Sequence, residues 1–227
     1  GDPALTSITP GQDVRTGQRI ATRLDAGLAL AWRDGSVVRL DEQTRASVSD
    51  DGQPVLDAGR VFVDAGSSNE PVSRPLVILT PAGPVTHVGT QYMTSVDDMT
   101  TTVSVREGRV RLDGRTATLE AAAGEQVGID RSGSSRRRSI PTHGELWAWA
   151  ETTMTGFAAD GRTVADFLEW VGKETGRVIR YASPGAEQLA AEAERKAPKP
   201  GIAGQIDALL ATPLPSAEIR MRLLALR

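Results

Sequence analysis

The sequence predicts a mainly β protein that closes with a small α+β domain. Three observations carry this. From about residue 5 to residue 130, short runs rich in β-branched residues alternate with Gly, Asp or Pro. Gly11, Gly35, Gly59, Gly83, Gly108 and Gly133 recur about every 24 or 25 residues. Beyond about residue 154 the apolar residues change from an alternating to a helical period.

In the first stretch, Leu28 to Trp32, Gly35 to Leu40, Gly59 to Val63, Leu76 to Thr80, Thr101 to Arg106 and Gly108 to Leu112 each have the length and composition of a strand. Four of the recurring glycines open a Gly-x-Val triplet, ending at Val37, Val61, Val85 and Val110. A repeat of this length suits a solenoid-like stack of strands, in which each turn buries its apolar residues against the next. A β-sandwich is the alternative, since short strands with regular turns suit it too. The expected boundaries are a β domain over 1–130, a linker with a Trp-containing connector over 131–153, and the α+β domain over 154–227. The linker is expected because Arg131 to Arg138 interrupts the strand pattern and Pro141 follows. Within the connector, Leu146 to Trp149 suits either a short helix or an extended piece packed between the domains.

In the last stretch Thr163 can cap a helix, with Asp166 three residues on and Val164, Phe167, Leu168 and Val171 on one face. Gly176 ends it. Arg177 to Tyr181 then predicts a strand, Pro184 to about Arg195 a second helix and Ile202 to Ala211 a third. At the end, Ile219, Met221 and Leu223 alternate with Arg220 and Arg222, the pattern of a half-buried strand.

Composition narrows the function. A net charge of −3 offers no broad positive field for nucleic acid. No run approaches the roughly 18 apolar residues of a membrane-spanning helix, and Gly1-Asp2-Pro3 does not open a signal peptide. The expectation is a soluble chain, either cytoplasmic or a domain separated from its targeting and membrane segments. Without cysteine there is neither a disulfide nor a thiolate zinc site.

The residues do not assemble a catalytic or metal centre. His87 and His143 lie far apart without a metal-ligand spacing, and His87 reads as a strand histidine bonded to a neighbour. There is no Gly-x-Ser-x-Gly elbow. Gly172-Lys-Glu174 lacks the rest of a phosphate loop, and Asp97-Asp98 supplies too few oxygens for calcium. No cofactor is expected. Arg136 to Arg138 forms a local positive patch, read first as solvated and second as a site for anionic head groups or an acidic partner. Trp170 falls beside the apolar stripe of its helix, where it could pack between domains or meet a partner.

Several motifs together resemble the FecR family. They are Gly89-Thr90-Gln91-Tyr92, then Val103-Ser-Val-Arg-Glu-Gly-Arg-Val110, then Ala123-Gly-Glu125, with Asp34 to Asp41 and Leu56 to Val63 upstream. Phe157 to Val178 resembles the opening of a short secretin-and-TonB N-terminal-type (STN-like) domain. The resemblance implies a non-catalytic, periplasmic regulator whose parent protein is anchored in the inner membrane. It would bind the signalling domain of a TonB-dependent outer-membrane receptor, commonly one for a ferric siderophore. It would relay the signal to an extracytoplasmic-function sigma factor through segments not in this chain. Trp170, Arg177, Ile179, Tyr181, Arg220 and Arg222 are the candidate partner-binding residues, the last five on strands to which a receptor strand could add. The reading from another class is an envelope scaffold or cell-wall and polysaccharide-binding module.

Overall fold

The computed structural model describes residues 8–32, 34–65, 75–98, 100–154, 156–157 and 161–192, and the chain divides into two compact units, Gly1–Thr153 and Met154–Arg227. Among the described residues, unit 1 is built on an eleven-stranded sheet. Its strands are β1 (Arg19–Ala21), β2 (Leu28–Ala31), β3 (Val37–Leu40), β4 (Arg45–Val48), β5 (Pro54–Asp64), β6 (Ile78–Thr80), β7 (Gly83–Val96), β8 (Thr100–Asp113), β9 (Thr118–Ala122), β10 (Glu125–Asp130) and β11 (Ser135–Ser139).

Three long strands organise the unit by changing partners midway. The first half of β5 pairs with β4 and its second half with β3 and the end of β7. β7 begins against β6, and β8 runs from β10 at its start to β9 at its end. The change of partner coincides with backbone that only glycine adopts without strain. Gly59 in β5 has φ +95, and a Cβ there would lie 2.5 Å from the Thr44 Cα. The buried Thr44 hydroxyl accepts the Arg60 N–H at 3.0 Å, so the bend leaves no orphaned donor there. Gly108 in β8 has φ +74 and faces the irregular register of β7 between Val88 and Gln91.

Because each long strand passes from one half of the sheet to the other, both halves turn an inner face to one core. Ile20, Leu56, Ile78, Val85 and Leu112 come from one half, and Val38, Val61, Val63, Val103, Val105 and Val127 from the other. Val61, Val85 and Val110 of the Gly-x-Val triplets are all buried in it. The solenoid-like reading needs correction here: stacked turns of a coil pair in parallel, whereas every pairing among the described residues is antiparallel except Val55↔Leu79 between β5 and β6. The 24-residue spacing marks the turns and bends of an antiparallel sheet folded over its own core.

The expected linker also differs. Residues 135–139 form β11, hydrogen-bonded along its length to β10, after a turn in which the Asp130 carboxylate accepts the N–H groups of Ser132 at 2.9 Å and Ser134 at 3.0 Å. That turn chemistry, and not an apolar period, makes the strand. Leu146 to Trp149 is helical: a 3-10 turn over Glu145–Trp147 runs into α1 (Ala148–Thr152).

In unit 2, α2 (Val164–Thr175) starts at a full capping box between Thr163 and Asp166 and stops at Gly176, φ +66. Its stripe of Val164, Phe167, Leu168 and Val171 packs with Ala190 of α3 (Pro184–Glu192). Residues 177–181 carry no strand pairing among the described residues, contrary to the predicted strand, although half-buried Arg177, Ile179 and Tyr181 alternate with exposed Val178 and Arg180. Ile179 and Tyr181 rest on the side chains of the α2 and α3 cluster, which sets this alternation. The predicted helix over Ile202 to Ala211 and the strand over Ile219 to Leu224 lie outside the described residues.

Candidate interaction surfaces

The half of the sheet formed by β3, the ends of β5 and β7, the start of β8, β10 and β11 has a second face, turned away from the core. The register sets one row of residues across it: Arg39, Phe62, Met93, Ser104, Gln126 and Arg138. At the Arg39 end the row is covered by the 3-10 turn and α1, with Trp147 and Ala150 buried against Phe62 and Met93. Two buried arginines make this contact. The Arg106 guanidinium lies 4.8 Å from the centre of the Trp147 ring and 5.2 Å from that of Phe62. It also approaches the Glu151 carboxylate at 3.7 Å. Arg39 stacks 5.3 Å from the Phe62 ring and donates to the Ala150 carbonyl at 3.1 Å. A guanidinium over an aromatic face contributes about 2 kcal/mol when desolvated, so these pairs offset part of the cost of burying charge. Trp147 in turn donates its indole N–H to the Pro141 carbonyl at 2.8 Å.

At the Arg138 end the same face is open. Arg138 donates to Gln126 at 2.5 Å, and Gln126 donates to Ser104 at 2.6 Å. All of β11 is exposed, and among the described residues it pairs only with β10. An open groove of about 620 Å³ runs beside it, lined by Thr102, Gln126, Gly128, Arg136 and Arg138 among others.

Unit 2 holds the described candidates from the sequence. Trp170 is half-buried, its ring centre 5.6 Å from those of Phe157 and Phe167, so this residue closes an aromatic trio over the helix stripe. Ile179 and Tyr181 pack on the same cluster, where Gly172 leaves the space: a Cβ there would come within 3.2 Å of the Ile179 side chain. Burial, helped by the carboxylates of Glu187 and Glu169, pushes the Tyr181 phenol up. The structure thus brings Trp170, Ile179 and Tyr181 onto one cluster, with Arg177 at the end of α2, where its N–H bonds the Gly172 carbonyl. Val178, 70% exposed, and Leu189, 57% exposed, are large apolar residues on the surface of the unit. Arg220 and Arg222 lie outside the described residues. His87 stacks on Tyr92 with ring centres 5.5 Å apart.

Sequence reasoning missed Arg39 and Arg106. Their signal was a charge at an alternate position inside the apolar strand runs Val37-Val-Arg-Leu40 and Val103-Ser-Val-Arg106, which means a second sheet face that something other than water covers. Among the described residues no group of three or more His, Asp or Glu stands close enough to hold a metal, and no helix is long and apolar enough to cross a membrane.

Two crystal structures of a candidate anti-sigma factor from Parabacteroides distasonis share this fold. Their TM-scores are 0.51 and 0.50, with 14% and 15% sequence identity. Both comparisons cover 86% of this chain, and 92% and 91% of the other chains. At that identity the likeness concerns the fold. No curated protein matches the chain. The family model described as FecR protein matches residues 18–111, from the start of β1 into the second half of β8, taking in Gly59, Gly108 and both buried arginines. Residues 18–111 of this chain are a FecR domain.

Proposed function

We propose that this chain is the signal-receiving, periplasmic part of a FecR-type regulator that controls a sigma factor, and that it acts by binding proteins and not by catalysis. The observation that carries the reading is the FecR domain at residues 18–111. The fold shared with a candidate anti-sigma factor over 86% of the chain supports it. In this reading unit 2 is a short STN-like domain, and its partner is the N-terminal signalling domain of a TonB-dependent outer-membrane receptor. Trp170 and Tyr181 supply the contact, because half-exposed aromatics on a packed cluster gain area at little entropic cost. Arg177 and Ile179 flank them, and Arg220 and Arg222, outside the described residues, are the remaining candidates from the sequence. The relay to the sigma factor runs through other segments of the parent protein, and a ferric siderophore is the kind of nutrient such a receptor reports.

Calorimetric titration of the chain with the N-terminal signalling domains of the TonB-dependent receptors from the same genome tests this. One domain should bind saturably, at micromolar affinity or better. Trp170→Ala should weaken it by about tenfold or more, as expected of an interface anchor. If no correctly folded domain binds, while the chain is retained on cell-wall material, the chain is an envelope scaffold instead.

A further inference from the structure

We propose that β11 is a docking edge for an acidic, extended segment of a partner protein, which adds to the sheet as a further strand beside Ser135–Ser139. This surface lies beyond the matched FecR stretch, in unit 1, and does not depend on what unit 2 binds.

The backbone argument comes from register. Asp130 N–H bonds the Ser134 carbonyl and Ile140 N–H bonds the Gly124 carbonyl, at the two ends of the β10–β11 pairing. In an antiparallel ladder the bonded residues alternate, so Arg136 and Arg138 use their backbone groups on β10. Ser135, Arg137 and Ser139 therefore turn their N–H and C=O groups outward. An edge with open groups of this kind is a template for another strand.

The side chains say which strand. Arg137 points to the core side and is occupied, donating to the Glu125 carboxylate at 2.8 Å and to the Glu120 carbonyl at 2.5 Å. Arg136 and Arg138 stand on the opposite face, over the groove whose floor is the bare backbone of Gly128. The Arg136 side chain makes no hydrogen bond or ion pair with a described residue, although its charge reaches Asp130. The acidic groups nearby are engaged: Asp97 accepts the Thr100 N–H at 2.7 Å, and Asp130 holds Ser132 and Ser134. An added strand carrying Asp or Glu at alternate positions would set successive carboxylates against Arg136 and Arg138. Opposite charges directly across a sheet stabilise it and like charges do the reverse. The second point also argues against another copy of this chain, since two-fold pairing of β11 with itself puts arginine opposite arginine. Lipid head groups could meet the guanidinium groups but have no use for the outward carbonyls.

The test uses the full chain and a short capped peptide in which Glu alternates with Thr and Val, with a Lys-for-Glu peptide as control. Titration up to about 1 mM should show saturable binding of the Glu peptide only. Amide exchange at Ser135, Arg137 and Ser139 should slow at saturation, while Arg136 and Arg138, already bonded to β10, change little. R136E/R138E, at exposed positions, should keep the thermal midpoint of the chain, weaken the Glu peptide by about tenfold or more and capture the Lys peptide. Absence of saturable binding, unchanged exchange at the three outward amides, or equal affinity in the charge-reversed variant each overturns the proposal. So does binding to phosphatidylglycerol vesicles without binding to the peptide, which would make the patch a site for anionic head groups.

Discussion

Arg106 caps the edge-to-face pair of Phe62 and Trp147, 5.2 and 4.8 Å from their ring centres, so a charge buried in the FecR sheet is held by an aromatic residue that follows the matched family segment. Unit 1 therefore depends on residues that its family match does not include. Trp147→Ala should lower the stability of unit 1 by about 3–5 kcal/mol, the usual cost of emptying a large aromatic site. Arg106→Lys, which keeps the charge and loses the flat stacking group, should also destabilise it. Denaturant unfolding of the full chain checks both, following the transition of unit 1 separately from that of unit 2. An unchanged midpoint for W147A would mean that the 3-10 turn and α1 are not part of the cooperative unit.

The recurring glycines are not equivalent, although the sequence spaces them alike. A Cβ on Gly108 would lie 2.4 Å from the Gly89 carbonyl oxygen at φ +74, whereas one on Gly35 would meet nothing within 4 Å at φ +82. Gly35→Ala should cost only the left-handed backbone term, about 1–2 kcal/mol. Gly108→Ala adds a backbone overlap that a β-sheet cannot relax and should cost clearly more, with reduced yield of folded protein. Thermal midpoints of the two variants decide it, and equal losses would show that β8 can shift at its bend.

The parts of the fold that could be read from sequence are those whose causes are local. The helix α2 was legible from its cap at Thr163, its stripe and its stop at Gly176, all within fourteen residues of one another. The strands of unit 1 were legible from alternation, but the direction of their pairing was not, because a repeat spacing fixes where turns fall and says nothing about which neighbour a strand meets. β11 was hidden because an exposed Ser-Arg-Arg-Arg-Ser edge has no apolar period and is held by the Asp130 turn and by β10. The arginine and tryptophan contact was hidden for another reason. Arg39 reaches the Ala150 carbonyl across 111 residues of chain, and local pattern carries no record of such a partner.

The capping box predicts an acid-side weakness in unit 2. The Thr163 N–H and hydroxyl, bonded to the Asp166 carboxylate at 2.7 and 2.9 Å, hold its pKa below the ordinary 3.8. A carboxylate with a depressed pKa stabilises the fold above its unfolded value, and this is lost as pH falls below 3.8 and through the lower folded value. Thr163→Ala should cost about 1 kcal/mol at neutral pH. Asp166→Asn should remove the pH-dependent part, seen as helicity of α2 followed down to pH 2 or so by circular dichroism. A wild-type helix indifferent to acid in this range would contradict the capping role of the carboxylate.

His87 predicts a different window for unit 1. Burial lowers its imidazole pKa from 6.5, against the opposing pull of the Asp34 carboxylate and the Leu76 backbone. The folded chain thus prefers the neutral ring, while the unfolded chain takes up a proton near 6.5. Stability from this residue is level above 6.5 and is lost as pH falls below it, until the lower folded value is reached. His87→Leu keeps an apolar body beside Tyr92 and should flatten the pH dependence of the thermal midpoint of unit 1 below 6.5, leaving the acid-side loss of unit 2 in place. If wild type and H87L lose stability in parallel between neutral pH and pH 5 or so, the ring is free to charge in the fold, and its stack on Tyr92 does not exclude the proton.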